Sequence, residues 1–363
     1  MRRGVFVGPC RLVRIVASAM MKSRRQRTAP KRSAAKGRLT PAARVIHQLR
    51  EIERNGGDGE VRFGRSVTLH VSSLDKLFFP DDDITKGDVM RYYASVSPSL
   101  LPVIKERPLI LKRYPDGING SSFFQQNAGA HVPDAVRTAK VTTERGAPAE
   151  RIVGGDLQTL IYIVQIGTIA VHTWQARLQT LEFADTTTID LDPGDDVAFR
   201  DVVALARAIK VELDAFELSA GVKTSGASGI HIVLPLPSRT SFAYSADVAQ
   251  ALAERVARKH PKLATTERAL QARPRGTIYV DAQQNSPGKS VVAAYSVRER
   301  NRATVSAPLD WVELRGSLRL DTFTLKSMPD RLDEVGDLWG AAMKRRNSKR
   351  ALDRVLRIQN EER

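Results

Sequence analysis

The run Thr186-Thr187-Thr188-Ile189-Asp190-Leu191-Asp192-Pro193 sets two carboxylates two residues apart at the end of a β-branched, apolar stretch. On a strand, positions i and i+2 face the same way, so Asp190 and Asp192 project together. Aspartate is a poor strand residue, and two like charges on one face repel unless a cation lies between them. Pro193 and Gly194 stop the strand and leave the pair at an exposed sheet end. Taken alone, this pattern is more often a strand running into an Asp-Pro-Gly turn with solvated acids. Residues 276–285, Gly-Thr-Ile-Tyr-Val-Asp-Ala-Gln-Gln-Asn, bring a third acid, Asp281, at the end of another β-branched strand. Three carboxylates delivered in this way suit a two-metal site, in which oxygen ligands hold hard cations.

Between these acids lies Lys-Thr-Ser-Gly-Ala-Ser-Gly-Ile-His-Ile-Val-Leu-Pro-Leu, residues 223–236. A small loop containing glycine feeds an apolar run with one histidine, His231. Backbone N–H groups in such a loop can cradle phosphate, because glycine turns tightly and allows close approach. Ser225 and Ser228 add hydroxyl donors. The plainer alternative is a turn entering a buried strand, with His231 hydrogen-bonded in the core.

Positioning these groups requires alternating strands and helices. The pattern predicts a short helix from Pro41 to about Glu53, an Asn-Gly-Gly-Asp-Gly linker at 55–59, and a folded body beginning near Val61. It predicts strands over 67–71, 109–112, 169–172, 230–234 and 278–281, with an apolar run over 157–166. Helices are expected from the Thr85–Gly87 cap to Leu101, ending before Pro102, and over 196–216 and 246–259. Phe123 and Phe124 fall in an expected loop. From about Asp330 a polar helix leads into the basic run 344–350, read as a solvated tail. The resulting division is a basic extension over 1–60, a catalytic domain over 61–335 and a basic helical tail over 336–363.

The chain has 363 residues and a net charge of +17, with 42% hydrophobic residues, enough for a real core. Residues 1–40 hold twelve of the Lys and Arg and no acids, leaving +5 for the rest (17 minus 12). Such a segment attracts phosphate backbones without sequence preference, or is a solvated extension, or reflects a start upstream of Met20 or Met21. The single cysteine, Cys10, excludes internal disulfides and cysteine-based zinc sites. The apolar letters over 12–20 are broken by Arg14, too short and charged for a signal peptide or membrane span. The protein is expected to be soluble and intracellular. Oxygen-bound Mg²⁺ or Mn²⁺ suits the acids better than zinc.

In this order the three segments resemble the polymerase domain of the bacterial end-joining ligase D, in the archaeo-eukaryotic primase superfamily. The resemblance runs over roughly residues 65–335. It includes Leu-Asp-Lys-Leu-Phe-Phe-Pro (74–80), Thr-Lys-Gly-Asp (85–88), Arg-Pro-Leu-Ile-Leu-Lys-Arg-Tyr-Pro-Asp-Gly (107–117), Ser-Phe-Phe-Gln-Gln (122–126), the segment ending at His172, and Ala-Tyr-Ser-Val-Arg (294–298). It implies an α+β fold of the primase-polymerase type, with two β-sheets around an active-site cleft flanked by helices.

The resemblance assigns Asp190, Asp192 and Asp281 as catalytic ligands of two Mn²⁺ or Mg²⁺ ions. It places Ser225, His231, Arg298, Lys112 and His172 at the incoming nucleotide. Phe123 and Phe124 are placed at the template strand, and Lys76 and Lys86 at a 5′-phosphate. Ser228 stands where many members carry lysine, which implies weaker nucleotide binding or compensation by a nearby cation. Arg273 and Arg275 flank Pro274 where relatives have an uninterrupted basic run, so their roles do not carry over directly.

The implied activity is metal-dependent, template-directed addition of nucleotides, ribonucleotides preferred, at gaps and 3′ ends in non-homologous end joining. Implied partners are DNA ends or gaps with a 5′-phosphate, nucleoside triphosphates, the end-binding Ku protein and a separate DNA ligase, since no ligase or nuclease motif is seen. Two alternatives stay open: a non-catalytic end-bridging subunit, and a primase starting chains without a primer.

Overall fold

The computed structural model describes residues 39–143 and 146–361. The basic segment 1–38, with Cys10, lies outside the described residues. The architecture is mixed α and β, with two main sheets, as the resemblance implies. The first sheet has six strands in the order Ala264–Thr265, Ile278–Asp281, Phe183–Pro193, Ile230–Ser241, Gly221–Thr224 and Pro308–Leu309. Its pairings are antiparallel except at the Ala264–Thr265 edge. The second sheet runs Ser290–Val292, Thr168–Trp174, Leu109–Arg113 and Phe123–Gln125, all antiparallel.

The central strand Phe183–Pro193 shows why its acids are where they are. Thr187, Ile189 and Leu191 are buried on one face, and the Thr187 hydroxyl donates to the Ser245 carbonyl in the helix Phe242–Lys259 at 2.8 Å. The odd-numbered face is therefore roofed by helix. Alternation then sends Thr186, Thr188, Asp190 and Asp192 to the other face. Gln175, just past the strand Thr168–Trp174 of the second sheet, meets that face at the Thr188 hydroxyl (2.8 Å). A cavity of about 520 Å³ lies here, walled in part by Gln175, Thr186, Thr188, Lys223 and Val292.

The helix Lys86–Ile104 packs on the helix Leu157–Gln165, which backs the second sheet. Tyr93 on the first of these is fully buried; its hydroxyl donates to the Ile169 carbonyl (2.6 Å) and accepts the Val297 N–H (3.1 Å). It thus ties helix, sheet and the segment leading to Arg298 together. One buried apolar cluster runs through both halves.

Several boundaries differ from the sequence reading. The packed unit begins at Leu39, not near Val61: the helix Pro41–Arg54 buries Val45 and Leu49 and packs on Lys86–Ile104. The helix Lys86–Ile104 does not stop before Pro102 but includes Pro98 and Pro102. Pro98 lacks the N–H that would satisfy Ala94, and the Ser97 hydroxyl donates to that carbonyl instead (2.8 Å). The C-terminal segment is not merely a solvated tail. Trp339 in the helix Leu338–Met343 is buried, and Ala351, Leu352 and Val355 in the helix Lys349–Glu361 are buried, with that helix packed against Phe242–Lys259. Among the described residues, no helix is long and apolar enough to cross a membrane.

The start of Lys86–Ile104 is a full capping box. The Asp88 N–H donates to the Thr85 hydroxyl (3.1 Å), and the Thr85 N–H donates to the Asp88 carboxylate (2.9 Å). Thr85→Ala is expected to lower unfolding free energy by about 1 kcal/mol, read from the midpoint shift in urea at unchanged slope.

Candidate active site

Strand register brings the candidate residues into one row. Asp190 lies opposite Asp281 on one side and His231 on the other, and Lys223 lies opposite His231. Directly opposed residues share a face and sit within side-chain reach. The row therefore reads acid, acid, imidazole, ammonium across four neighbouring strands. Asp192 faces the same way, one pleat further along, opposite Tyr279.

The electrostatics follow from this crowding. The Asp190 carboxyl is pushed up from 3.8 to about 7, first by burial and then by the Asp281 and Asp192 charges, against the opposing pull of Lys223 and Arg298. Its side chain keeps 26% exposure, so it is not sealed from water. His231 is 5% exposed. Its pKa is driven well down, chiefly by burial and then by Lys223, Arg298 and His172, so the ring is neutral. Its Nε2 lies 3.3 Å from Asp190 Oδ1.

The two outer acids are otherwise engaged. Asp192 is about half exposed and pairs with Arg273 at 3.2 Å, whose guanidinium lies 4.1 Å from the centre of the Tyr279 ring. Asp281 accepts from the Gln283 N–H (2.6 Å), Gln284 Nε2 (3.2 Å) and the Tyr279 hydroxyl (3.3 Å). Among the described residues, no three His, Cys, Asp or Glu side chains already form a group able to hold a metal ion. The donor set itself fits hard divalent cations: three carboxylates on one sheet face, whose mutual repulsion raises Asp190 and which a cation would relieve.

The loop after Gly221–Thr224 is built around Ser225. Its hydroxyl accepts the N–H groups of Ala227 (3.1 Å) and Gly229 (3.0 Å), and its own N–H donates to the Gly229 carbonyl (2.9 Å). Two of the N–H groups expected to cradle phosphate are thus spent on closing the loop. Gly226 adopts φ +72° with Arg298 packed on it, where a Cβ would stand 2.6 Å from Arg298 Cγ. Arg298 donates to the Ser225 carbonyl at 2.7 Å and pairs with Glu299 at 3.3 Å. Ser228 is exposed at the loop tip. His231, Ser225 and Arg298 therefore converge beside Asp190.

The second sheet supplies His172 and Lys112. Burial above all pushes His172 down to about 3, helped by Arg298, and its buried Nε2 has no hydrogen-bond partner among the described residues. Its ring meets Phe124 edge-on at 5.8 Å, and Lys112 Nζ lies 4.5 Å from the Phe124 ring centre. Phe123 and Phe124 lie on a short edge strand, not in a loop, and are 46% and 54% exposed. The commoner fate of a Phe pair, core packing, does not apply.

Lys76 and Lys86 form a separate cluster. The Lys86 N–H donates to the Lys76 carbonyl (2.8 Å), Lys86 Nζ donates to the Ser72 carbonyl (2.8 Å), and Lys76 pairs with Asp116 at 2.6 Å. Burial, then Lys76, lowers Lys86 to about 8. Two residues carry contacts that sequence reasoning left unassigned. Arg273 was ambiguous because of Pro274. Lys223 heads the polar run before the glycine loop and carries no spacing signal of its own.

Fold and site together define a two-sheet nucleotidyltransferase domain of the primase-polymerase type. The family model "LigD, primase-polymerase domain" matches residues 85–339, and the chain belongs to that family. It is 34% identical over 316 residues to the multifunctional non-homologous end joining protein LigD of Pseudomonas aeruginosa, covering 81% of this chain and 37% of that protein. It is 33% identical to the bifunctional LigD of Bacillus subtilis, covering 74% and 43%. The chain thus spans well under half the length of these relatives. The solved polymerase domain of Mycobacterium tuberculosis ligase D, in complex with DNA, superposes with a TM-score of 0.71 at 29% identity, over 77% of this chain and 99% of that one.

Proposed function

We propose that this protein adds nucleotides, ribonucleotides in preference, to 3′ ends and gaps at DNA breaks in non-homologous end joining. The observation that carries the reading is the cross-strand row in which Asp190 stands between Asp281 and His231. Asp190, Asp192 and Asp281 would hold two Mg²⁺ or Mn²⁺ ions, which when bound help ionise the 3′-hydroxyl and offset triphosphate charge. His231 donates from its ring to a phosphate oxygen. Arg298, whose planar fork suits phosphate oxygens, grips the same group. Ser225 keeps the loop closed beneath both. His172 and Lys112 meet the nucleotide from the second sheet, where the buried His172 Nε2 lacks a partner among the described residues. Phe123 and Phe124 stack on the template end, and Lys76 and Lys86 receive the 5′-phosphate. A Ku protein and a DNA ligase complete the joint, in the cytoplasm at the nucleoid.

The test gives purified protein a gapped duplex with a 5′-phosphate, Mn²⁺ and each nucleotide type, with Asp192→Ala as control. Extension by the unaltered protein alone is expected, with ribonucleotides favoured. Duplex binding without any addition would replace the polymerase reading with the end-bridging one.

The exposed aromatic pair yields a separable effect. Phe124 is 54% exposed and its ring touches His172 and Lys112, so Phe124→Ala should lower stability by only about 1 kcal/mol. Affinity for a duplex end should fall by roughly 10-fold or more, a stacked base being worth about 1–3 kcal/mol. Thermal melting and fluorescence anisotropy read the two quantities. Equal losses in both would mean the ring is structural.

A further inference from the structure

We propose that Lys223 is a positioning residue: it holds the His231 ring in the tautomer protonated at Nε2, so that the ring offers a hydrogen-bond donor beside Asp190. This rests on the reading of His231 as a phosphate-contacting group. Lys223 is 1% exposed, yet among the described residues its two polar contacts are both to neutral side chains. Its Nζ lies 2.7 Å from the Ser306 hydroxyl and 2.8 Å from His231 Nδ1.

The direction of each bond follows from proton counting. The Ser306 hydroxyl donates its proton to the Thr224 carbonyl (2.9 Å), so its oxygen can only accept from Lys223. Burial lowers Lys223 to about 7 against the opposing pull of Asp190; while it holds its proton, the ammonium group has donors and no acceptor, and His231 Nδ1 presents its lone pair to Nζ. The ring then carries its one proton on Nε2, the nitrogen that faces the Asp190 carboxylate at 3.3 Å. With the opposite tautomer, an ionised Asp190 would face a second lone pair there, and no donor would remain for a phosphate oxygen.

The location argues for a role beyond packing. An apolar side chain of similar length would fill the same space without the cost of burying an ammonium group. Lys223 is placed by the same cross-strand row that places the acids, opposite His231. A group that orients a functional imidazole acts through it, and losing such a group typically costs about 10- to 100-fold in activity.

The test is long-range ¹H–¹⁵N correlation spectroscopy of the full chain with ¹⁵N-labelled histidines, the His231 signals being assigned by their loss in His231→Gln. Unaltered protein should show His231 as a neutral ring protonated at Nε2. Lys223→Met should shift it towards the Nδ1-protonated form and slow nucleotide addition about 10- to 100-fold. Lys223→Gln, which keeps an N–H donor of similar reach, should restore both. An Nδ1-protonated or doubly protonated His231 in unaltered protein would overturn the proposal, as would a Lys223→Met spectrum unchanged from the unaltered one. Should Lys223→Met fail to fold, the spectrum of the unaltered protein decides alone. Should the unaltered protein add no nucleotide, the functional reading fails while the spectrum still settles the Lys223–His231 pairing.

Discussion

Asp190→Asn is expected to abolish nucleotide addition and, at the same time, to stabilise the metal-free protein above neutral pH. Asparagine keeps the shape but removes the central negative charge, opposite both Asp281 and His231. Electrostatic stabilisation at such a site amounts to several kcal/mol, and a loss of ~4 kcal/mol is about a 10³-fold fall in rate. The stability change has the opposite sign. The folded protein raises this carboxyl from 3.8 to about 7 by burial and by two neighbouring acids. A carboxyl raised on folding favours the protonated form. Its stabilising contribution is complete below the unfolded value near 4, and is lost as pH climbs through about 7. Above that, ionised Asp190 is a standing cost that asparagine removes. Thermal melts with a chelator should show the variant ahead of unaltered protein at pH 8, with the gap shrinking as pH falls towards 4. A gap that is absent or independent of pH would mean that the acids do not crowd one another.

Gly229→Ala should impair activity by a different route. A Cβ at this position would run into the Leu191 carbonyl, well inside contact distance. Leu191 is the residue between Asp190 and Asp192 on the central strand. No flexible side chain is there to give way, so either the loop lifts or the strand shifts. Overpacking of this kind costs about 1–3 kcal/mol. The functional loss is larger, because a displacement of about 1 Å in a reacting constellation costs on the order of 100-fold. Single-turnover nucleotide addition should therefore fall about 100-fold while the cooperative melt survives, lowered by several degrees. Unchanged addition would show that the loop's closeness to the acid-bearing strand is incidental.

The strands and helices that carry the chemistry were legible because their patterns are local. Alternation over 186–192 gave the shared face of Asp190 and Asp192, and the strands at 230–234 and 278–281 were visible as β-branched or apolar runs. The elements missed at the edges have equally local reasons. Pro102 reads as a helix stop, yet the helix runs through it because its flank is buried against the core. The basic run after Lys344 reads as solvated, yet the helix beyond it buries one narrow face on Phe242–Lys259. Single-chain patterns do not say which neighbour will cover a face.

Residue types and their order determined the class of chemistry: carboxylates at strand ends, a glycine loop leading to a histidine, and a likeness covering most of the chain. Only the tertiary structure decided which groups meet. Register between strands far apart in sequence aligned Asp281, Asp190, His231 and Lys223 in one row, turned Asp192 towards Arg273, and exposed Phe123 and Phe124 at a sheet edge. The reason is physical. Which side of a strand a residue takes is set by its immediate neighbours. Which residue lies opposite is set by how the whole sheet buries its apolar face.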